Sequence, residues 1–499
     1  MDITSTHTAD HPPDDHTADR LILNGTIIDG TGAHRVQADL AVTGDRLSAV
    51  GDLSHYRAAH TIDATGFTIT PGFIDAHTHD DRALLSSPEM RPKVSQGVTT
   101  VITGNCGVSL APLIVTDRPP PPLDLLGDRH WYRFETFGDY IAAVEAHPPT
   151  INAAMLVGHS TLRVRVMSKV DRPASRAEID QMRSLLQDAL DNGAIGFSTG
   201  LFYPTNRAAP KEEVIALVEL LASSGGIYTT HMRDEADFVE ESLQETFETA
   251  QAAGVPVVIS HHKCAGRRNW GRSSKTLSLI DQARQHHPVG LDVYPYAASS
   301  TVLMPDLMDE HIRIIVTWSE SEPRMAGRDL SDIAHEWNCP LAEAAQRLQP
   351  AGAVYFQMDE ADVQRILAYP HSMIGSDGLP HDQFPHPRLW GTFPRVLGHY
   401  ARDVGLLTLE DAVYRMTGLP ATQFQLRDRG VIKVGNYADL VIFDANQIGD
   451  RATFEHPTQP ASGIQMVFVN GQIVWEAGHV TDARPGRVLH RFHPSAQTK

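Results

Sequence analysis

The sequence predicts an α/β protein: a (β/α)8 TIM barrel joined to a small β-domain that the N- and C-terminal segments form together. From Pro71 onward, short apolar runs alternate with amphipathic helical stretches, a pattern typical of βα units around a parallel sheet. Near both ends of the chain, short apolar runs are broken by turn pairs such as Asn24-Gly25 and Asn470-Gly471, which favour antiparallel strands.

Eight apolar runs in the central part of the chain are candidate barrel strands, and eight is the number that closes such a barrel. They cover residues 73–76, 98–103, 152–157, 194–198, 227–230, 256–260, 290–293 and 373–376. The helix before the fourth strand has a capping box at Ser175 and Glu178 and a terminating Gly193. Similar patterns predict helices at 211–223, 236–253 and 273–286.

The stretch between the seventh and eighth strands is too long for a simple loop and contains helical patterns of its own, so we interpret it as an inserted subdomain. The expected division of the chain is therefore a mobile tail (1–19), the β-domain (20–70 and 429–490), the barrel (71–300 and 370–428) and the insert (301–369).

The composition excludes several classes of partner. A net charge of −19, from 42 basic and 61 acidic residues, repels nucleic acid and anionic lipid. No apolar run is long enough to cross a bilayer, and the polar N-terminus lacks the features of a signal peptide, so we expect a cytoplasmic protein. Three scattered cysteines do not form a disulfide framework. The expected partner is a small-molecule substrate, and the oligomeric state stays open.

The segment PGFIDAHTHDD places two histidines at the end of the first predicted strand. Side chains two residues apart on a strand share a face, so His77 and His79 can converge on one cation. By itself, the same pattern also fits a surface turn with two ordinary histidines.

Further metal-type side chains follow other predicted strands. Cys106 follows the second, His231 the fifth, His261 the sixth and Asp377 the eighth. Each has an ordinary structural explanation when taken singly, as a core histidine, a buried thiol or a helix cap. Because a barrel gathers the C-terminal ends of its strands at one mouth, their joint placement predicts a metal site there.

In the same order, the chain carries the segments PGFIDAHTHDD, QGVTTVITGNCGVSLAP, GAIGFSTGLFYP, THMRDE, VISHHK, DVYPY, GSDG and HPRLWGTFPR. With them it resembles the amidohydrolase superfamily and, within it, the zinc-dependent D-aminoacylases, or N-acyl-D-amino-acid deacylases. The resemblance spans about residues 21–488. Many members of the superfamily bridge two metals with a carbamylated lysine, whereas this sequence has Cys106 where the D-aminoacylase branch has its thiolate.

The resemblance implies a role for each site residue. It implies one tight zinc site and a second, weaker one, with Asp377 as the catalytic acid and base and Tyr294 polarising the scissile carbonyl. Three more residues are implied to bind the substrate carboxylate. The tight ligands are Cys106, His231 and His261, the weaker ones His77 and His79, and the carboxylate-binding residues Lys263, Arg388 and Tyr203.

The implied activity is zinc-dependent hydrolysis of N-acyl-D-amino acids to a carboxylate and a free D-amino acid. One alternative is a cyclic amide hydrolase, of the hydantoinase, dihydropyrimidinase or dihydroorotase kind. Another is a non-catalytic scaffold with the same fold. The preferred side chain and acyl group, the number of metals needed for activity and the role of the insert stay open.

Overall fold

The computed structural model describes residues 16–305 and 308–491. Most of the predicted N-terminal tail therefore lies outside the described residues. The strands in chain order are β1 (Thr17–Ile27), β2 (Val36–Thr43), β3 (Arg46–Gly51), β4 (Arg57–Asp63), β5 (Thr68–Pro71), β6 (Phe73–Asp75), β7 (Val98–Thr103), β8 (Leu113–Ile114), β9 (Arg133–Phe134), β10 (Asn152–Gly158), β11 (Gly196–Gly200), β12 (Ile227–His231), β13 (Val257–Ile259), β14 (Val289–Val293), β15 (Ser299–Val302), β16 (Ile314–Ser319), β17 (Ala351–Tyr355), β18 (Ser372–Ile374), β19 (Leu440–Phe443), β20 (Ile464–Val469), β21 (Gln472–Glu476) and β22 (His479–Val480).

The α-helices of the described residues follow the predicted alternation with strands. They are α1 (Ala83–Ser86), α2 (Arg91–Val94), α3 (Phe137–Ala146), α4 (His159–Val166), α5 (Arg176–Asp191), α6 (Lys211–Ser224), α7 (Val239–Ala253), α8 (Ser273–Arg284), α9 (Leu330–Glu336), α10 (Leu341–Arg347), α11 (Glu360–Ala368), α12 (Arg388–Arg395), α13 (Leu409–Met416) and α14 (Gly418–Gln423). The predicted capping box is present at the start of α5, where Ser175 and Glu178 exchange side-chain to backbone hydrogen bonds.

Eight parallel strands form the predicted barrel, in the order β18-β14-β13-β12-β11-β10-β7-β6. The first and last strands meet, since the Ala76 amide donates to the Ile374 carbonyl (3.2 Å) and Thr78 pairs with Gly378. All residues of these strands are buried, which explains why they read as continuous apolar runs rather than alternating ones. The predicted fold class is confirmed.

Both ends of the chain build a second sheet, as predicted: β1–β5 and β19–β22 join through the pairing of β5 with β19. Most neighbouring strands are antiparallel, but β1 runs parallel to both β4 and β5. The sequence did not indicate these parallel pairs, because turn pairs such as Asn-Gly predict only how strands that are consecutive in sequence pair with each other.

The insert between β14 and β18 has a three-stranded sheet (β15-β17-β16), the helices α9 and α10 and an apolar cluster of its own. The helix α11 ends the predicted insert, but its Val363, Ile366 and Leu367 belong to the barrel core. The exact division of the chain into ranges stays a prediction.

Within residues 16–305 and 308–491, no helix has both the length and the apolar character needed to cross a bilayer. The cytoplasmic location expected from the composition stays a prediction.

Candidate metal centre and active site

The barrel brings all the predicted metal-type residues to one mouth. His231 is the last residue of β12, and His77 and His261 lie two residues beyond the ends of β6 and β13. Cys106 and Asp377 each follow their strand, β7 and β18, by three residues. Their sequence separation is large, but parallel barrel strands all end on the same face, so the side chains meet there.

The donor atoms are close enough to share one ion. Cys106 Sγ lies 3.2 Å from His77 Nε2 and 3.3 Å from His261 Nε2. These three atoms and an oxygen of Asp377 all lie within 4.8 Å of one another. A second group of the same kind joins His231 and Glu235 to His261, so His261 belongs to both groups.

The chemistry of this donor set fits zinc. A thiolate with imidazoles and a carboxylate is a ligand combination that zinc prefers. Neither ring nitrogen of buried His231, nor Nδ1 of His79, has a hydrogen-bond partner among the described residues. A buried polar atom left without a partner costs free energy, so these nitrogens are suited to an ion that satisfies them.

Three site residues have backbones in the left-handed region, which side chains other than glycine seldom adopt: Cys106 (φ 54°), His261 (φ 36°) and Asp377 (φ 49°). Such conformations cost about 1–3 kcal/mol each and persist only where neighbours hold them in place. Here the His261 amide donates to Asp292 Oδ1 (2.8 Å), and the Asp377 amide donates to the carbonyl of His77 (2.8 Å). With these backbone conformations, the donor atoms of the three side chains lie close together at the barrel mouth.

The electrostatics favour the ligand forms of Cys106, Asp377 and His231. For the other histidines, the neighbouring thiolate and carboxylates outweigh burial and raise the pKa of His77 well above its usual value and those of His79 and His261 to about 9, which favours their protonated forms. Burial by itself raises the pKa of the Cys106 thiol, but His77 and His261 outweigh it and hold that pKa well below its usual value. Burial likewise opposes ionisation of Asp377, yet Arg388 and the neighbouring histidines keep its pKa well below the usual range. Burial lowers the pKa of His231 and so favours the neutral imidazole, the form that binds metal.

Two carboxylates that sequence reasoning missed orient the histidines. Asp292 Oδ2 lies 3.3 Å from His77 Nδ1, and Glu235 Oε1 lies 3.0 Å from His261 Nδ1. A carboxylate on the far nitrogen fixes the ring orientation and leaves Nε2 to face the metal. One signal was available for each: Glu235 follows His231 by four residues, and Asp292 is an acidic residue inside a buried strand.

A cavity of about 260 Å³ opens beside the cluster. Its lining includes six of the predicted site residues: Tyr203, His231, His261, Lys263, Tyr294 and Asp377. The Tyr294 hydroxyl is buried and has no hydrogen-bond partner within the described chain, so it is available to a ligand. The Tyr203 hydroxyl instead lies 3.0 Å from Thr301 Oγ1.

Both predicted carboxylate-binding cations are already paired with acidic groups. Lys263 Nζ donates to both oxygens of Glu235 at 2.8 Å. Fully buried Arg388 lies 2.9 Å from Asp377 Oδ2, donates to the carbonyl of Ser300 (3.0 Å) and stacks on the Tyr294 ring. Sequence motifs located these cations, and Asp377 as well, but no local pattern indicated that Arg388 meets Asp377 or that Lys263 meets Glu235.

Comparison with known proteins finds relatives that match nearly the whole chain. The sequence profile of the amidohydrolase family matches residues 60–475. A D-aminoacylase from Alcaligenes xylosoxydans xylosoxydans is 54% identical over 479 residues, which are 96% of this chain and 99% of that relative.

Two solved structures are similar over nearly their whole length. One is a D-aminoacylase with a binuclear metal centre, described as activated by one metal and attenuated by a second; it is 54% identical, with a TM-score of 0.94, over 95% of this chain and 100% of that one. The other is an N-acyl-D-glutamate deacylase from Bordetella bronchiseptica, complexed with zinc and a phosphonate mimic of the tetrahedral intermediate; it is 47% identical, with a TM-score of 0.92 and the same coverage.

The fold and the metal-type mouth define a member of the amidohydrolase family, and this chain belongs to that family. Within the family it belongs to the branch of the D-aminoacylases and N-acyl-D-amino-acid deacylases.

Proposed function

We propose that this protein hydrolyses the amide bond of N-acyl-D-amino acids, with zinc as its cofactor, to release a carboxylate and a free D-amino acid. The observation that carries the proposal is the convergence of Cys106, three histidines and Asp377 beside a cavity at the barrel mouth. The similarity to a D-aminoacylase over 96% of the chain supports the same activity.

Amide hydrolysis needs an activated water, a polarised carbonyl and a proton for the leaving amine. Zinc, when bound, supplies Lewis acidity toward the water and the carbonyl. Asp377 is ionised, buried and within 3.1 Å of His79 Nε2, so it accepts the proton of the attacking water and returns it to the departing nitrogen. The free Tyr294 hydroxyl donates to the oxygen on which negative charge develops.

Arg388 has two tasks in this scheme. Its Nη1 holds one oxygen of Asp377, which aims the other oxygen toward the histidines. Its guanidinium also stacks on Tyr294, which places positive charge beside the cavity where the substrate carboxylate enters. Lys263 neutralises Glu235 and contributes to the same field.

We assign the tight zinc site to Cys106, His231 and His261, and a weaker adjoining site to His77 and His79. His261 belongs to both close groups of donor atoms, which supports two neighbouring positions that share this ligand; one group joins it to Cys106, His77 and Asp377, and the other joins it to His231 and Glu235. The binuclear centre of the similar D-aminoacylase supports the same arrangement.

The cavity wall favours an apolar amino-acid side chain. The insert and the loop after β11 contribute Phe202, Met304, Ile312 and Tyr355 to the lining. Among the described lining residues, Lys263 is the only lysine or arginine, and Glu235 neutralises it. A second carboxylate, as in D-glutamate or D-aspartate, meets Asp309 and other acidic groups there, so its burial is unfavourable.

A substrate panel tests the proposal. We expect hydrolysis of N-acetyl-D-methionine with the highest kcat/KM, weaker hydrolysis of N-acetyl-D-glutamate and none of N-acetyl-L-methionine. Ring opening of a hydantoin without cleavage of any D-amide would support the cyclic-amide alternative instead. Purified protein with no bound zinc and no turnover would favour the alternative that the chain is a non-catalytic scaffold.

A further inference from the structure

A buried lysine that the mechanism does not use lies beside the metal centre. Lys93, on α2, places its ammonium 2.8 Å from Asp75 Oδ2, 2.9 Å from Ser376 Oγ and 3.1 Å from Asp80 Oδ2. The Lys93, Asp75 and Asp80 side chains are each at most 2% exposed. Asp75 Oδ2 and Ser376 Oγ accept hydrogen bonds from the ammonium, and Asp80 Oδ2 is an ion-pair contact without hydrogen-bond geometry. We call these four residues the Lys93 cluster.

The partners of the Lys93 ammonium lie on either side of the seam where the barrel closes. Asp75 and Asp80 flank the segment of His77 and His79, and Ser376 directly precedes Asp377. Asp75 Oδ1 also accepts from the Ser376 amide (2.7 Å) and the His77 amide (3.3 Å). One cation therefore joins the first and last strands of the barrel at the level of the site.

We propose that Lys93 is a positioning residue that holds His77, His79 and Asp377 in register across the seam between β6 and β18. This inference rests on the proposed function for the role of those three residues. Lys93 is fully buried and is not among the residues that line the cavity, so it acts through its acceptors rather than on substrate. Removing its charge leaves two buried carboxylates close together, and their repulsion opens the seam.

The position of the Lys93 cluster makes the expected loss selective. His231 ends β12, and Cys106 and His261 follow β7 and β13; none of these strands carries a Lys93 acceptor. We therefore expect the tight metal site to survive in a Lys93 variant. The weaker site of His77 and His79 and the alignment of Asp377 depend on the seam and should be damaged.

The test compares metal binding and kinetics in Lys93→Met and in the unmodified protein. We expect Lys93→Met to retain one tight zinc per chain and to bind a second metal about 10- to 100-fold more weakly. Its kcat, measured with one zinc per chain, should fall by about the same factor because Asp377 is misaligned, with a much smaller change in KM. Titration with zinc followed by equilibrium dialysis measures the binding without turnover.

Arg163→Met provides a matched control. Arg163 is an equally buried cation, held by Glu213 and by backbone carbonyls in a part of the barrel remote from the seam. Its loss should lower stability but leave both metal affinities and kcat per folded molecule unchanged. If both variants lost second-metal binding equally, Lys93 would only stabilise the fold, and the inference would be wrong.

A second variant covers failure of Lys93→Met to fold. Asp80→Asn removes one carboxylate and keeps the ammonium paired with Asp75, so it should weaken the second metal and kcat in the same direction but less. Wild-type second-metal affinity and kcat in whichever variant folds would contradict the proposal. Absence of D-amide hydrolysis in the unmodified protein would instead refute the proposed function, and the metal titration would still decide the role of Lys93.

Discussion

Two buried clusters of charged side chains in this barrel differ in how completely their polar atoms are satisfied. The mouth cluster consists of His77, Cys106, His231, His261 and Asp377, and the Arg163 cluster consists of His159, Arg163 and Glu213. In the second, each nitrogen of the Arg163 guanidinium donates to a neighbour, and both oxygens of Glu213 accept, while His159 Nδ1 has no partner among the described residues.

The mouth cluster, although equally buried, leaves both His231 nitrogens without hydrogen bonds among the described residues and forces three of its members into left-handed backbones. Burial of charge therefore does not distinguish the two regions. The distinguishing features are the left-handed backbones and a histidine, His231, with both ring nitrogens unmet; both features have a stability cost and indicate a site that a ligand completes. Satisfied charges, as around Arg163, indicate a structural role.

The largest expected effect is at Asp377. Asp377→Asn keeps the shape of the side chain but removes the proton acceptor, so kcat should fall by about 10²- to 10⁴-fold while zinc stays bound. Steady-state kinetics with metal analysis of the same sample measures both quantities. Asp309→Asn, on the cavity wall, is the matched control and should keep most of the turnover. An active Asp377→Asn enzyme would mean that another group is the base.

Arg163→Met should lower the stability of the protein and leave kcat unchanged, the opposite of the effect expected at Asp377. Removing the cation leaves buried Glu213 with only His159 and the Ala174 amide as partners, which costs about 3–5 kcal/mol of unfolding free energy. Urea denaturation of the zinc-free protein measures this loss, and the folded fraction should keep its kcat. A large fall in kcat of the folded enzyme would show that the two clusters are coupled.

Tyr294→Phe should change activity without changing stability, and so separates these two properties at one residue of the active site. We expect kcat to fall by about 10²-fold, because a donor to the developing oxyanion is lost. Stability should not fall, since the hydroxyl makes no hydrogen bond within the described chain. Tyr355→Phe is the contrasting control: its hydroxyl donates to Val302 and accepts from the Met304 amide, so its loss should cost about 1 kcal/mol. Both changes are measurable by thermal unfolding.

The smallest expected effect is on acid stability. Burial opposes ionisation of Glu213, but His159 and Arg163 outweigh it and lower its pKa from 4.5 to about 2. Between these values the unfolded chain binds a proton that the folded chain does not, so this contribution is complete above the unfolded pKa and is lost as the pH falls toward 2. Urea midpoints from about pH 3 to pH 6 should therefore depend less on pH in Glu213→Gln. An unchanged slope would exclude Glu213 as a source of acid sensitivity.

The sequence could predict residues that local patterns place, but not contacts between residues that only the folded barrel brings together. His77, His231 and Asp377 were predictable because strand ends and local spacing place them, and the barrel then fixes where they meet. The Lys93–Ser376 contact spans 283 residues and follows no local pattern, so nothing in the sequence marked it.

Arg388 illustrates the intermediate case. Its motif identified a cation near the substrate, but its burial against Asp377 appears only once β18 and α12 are folded together. The left-handed backbone at Cys106 was equally hidden, because local propensity disfavours it and only the tertiary contacts of the site hold it there.

The most direct test of the central claim is a crystal structure of the zinc-bound protein with anomalous diffraction measured at the zinc edge. We expect a strong peak at the barrel mouth, about 2.3 Å from Cys106 Sγ and about 2.0–2.1 Å from a nitrogen of His231 and of His261. A protein that contains zinc but shows no peak in contact with Cys106 would contradict the account.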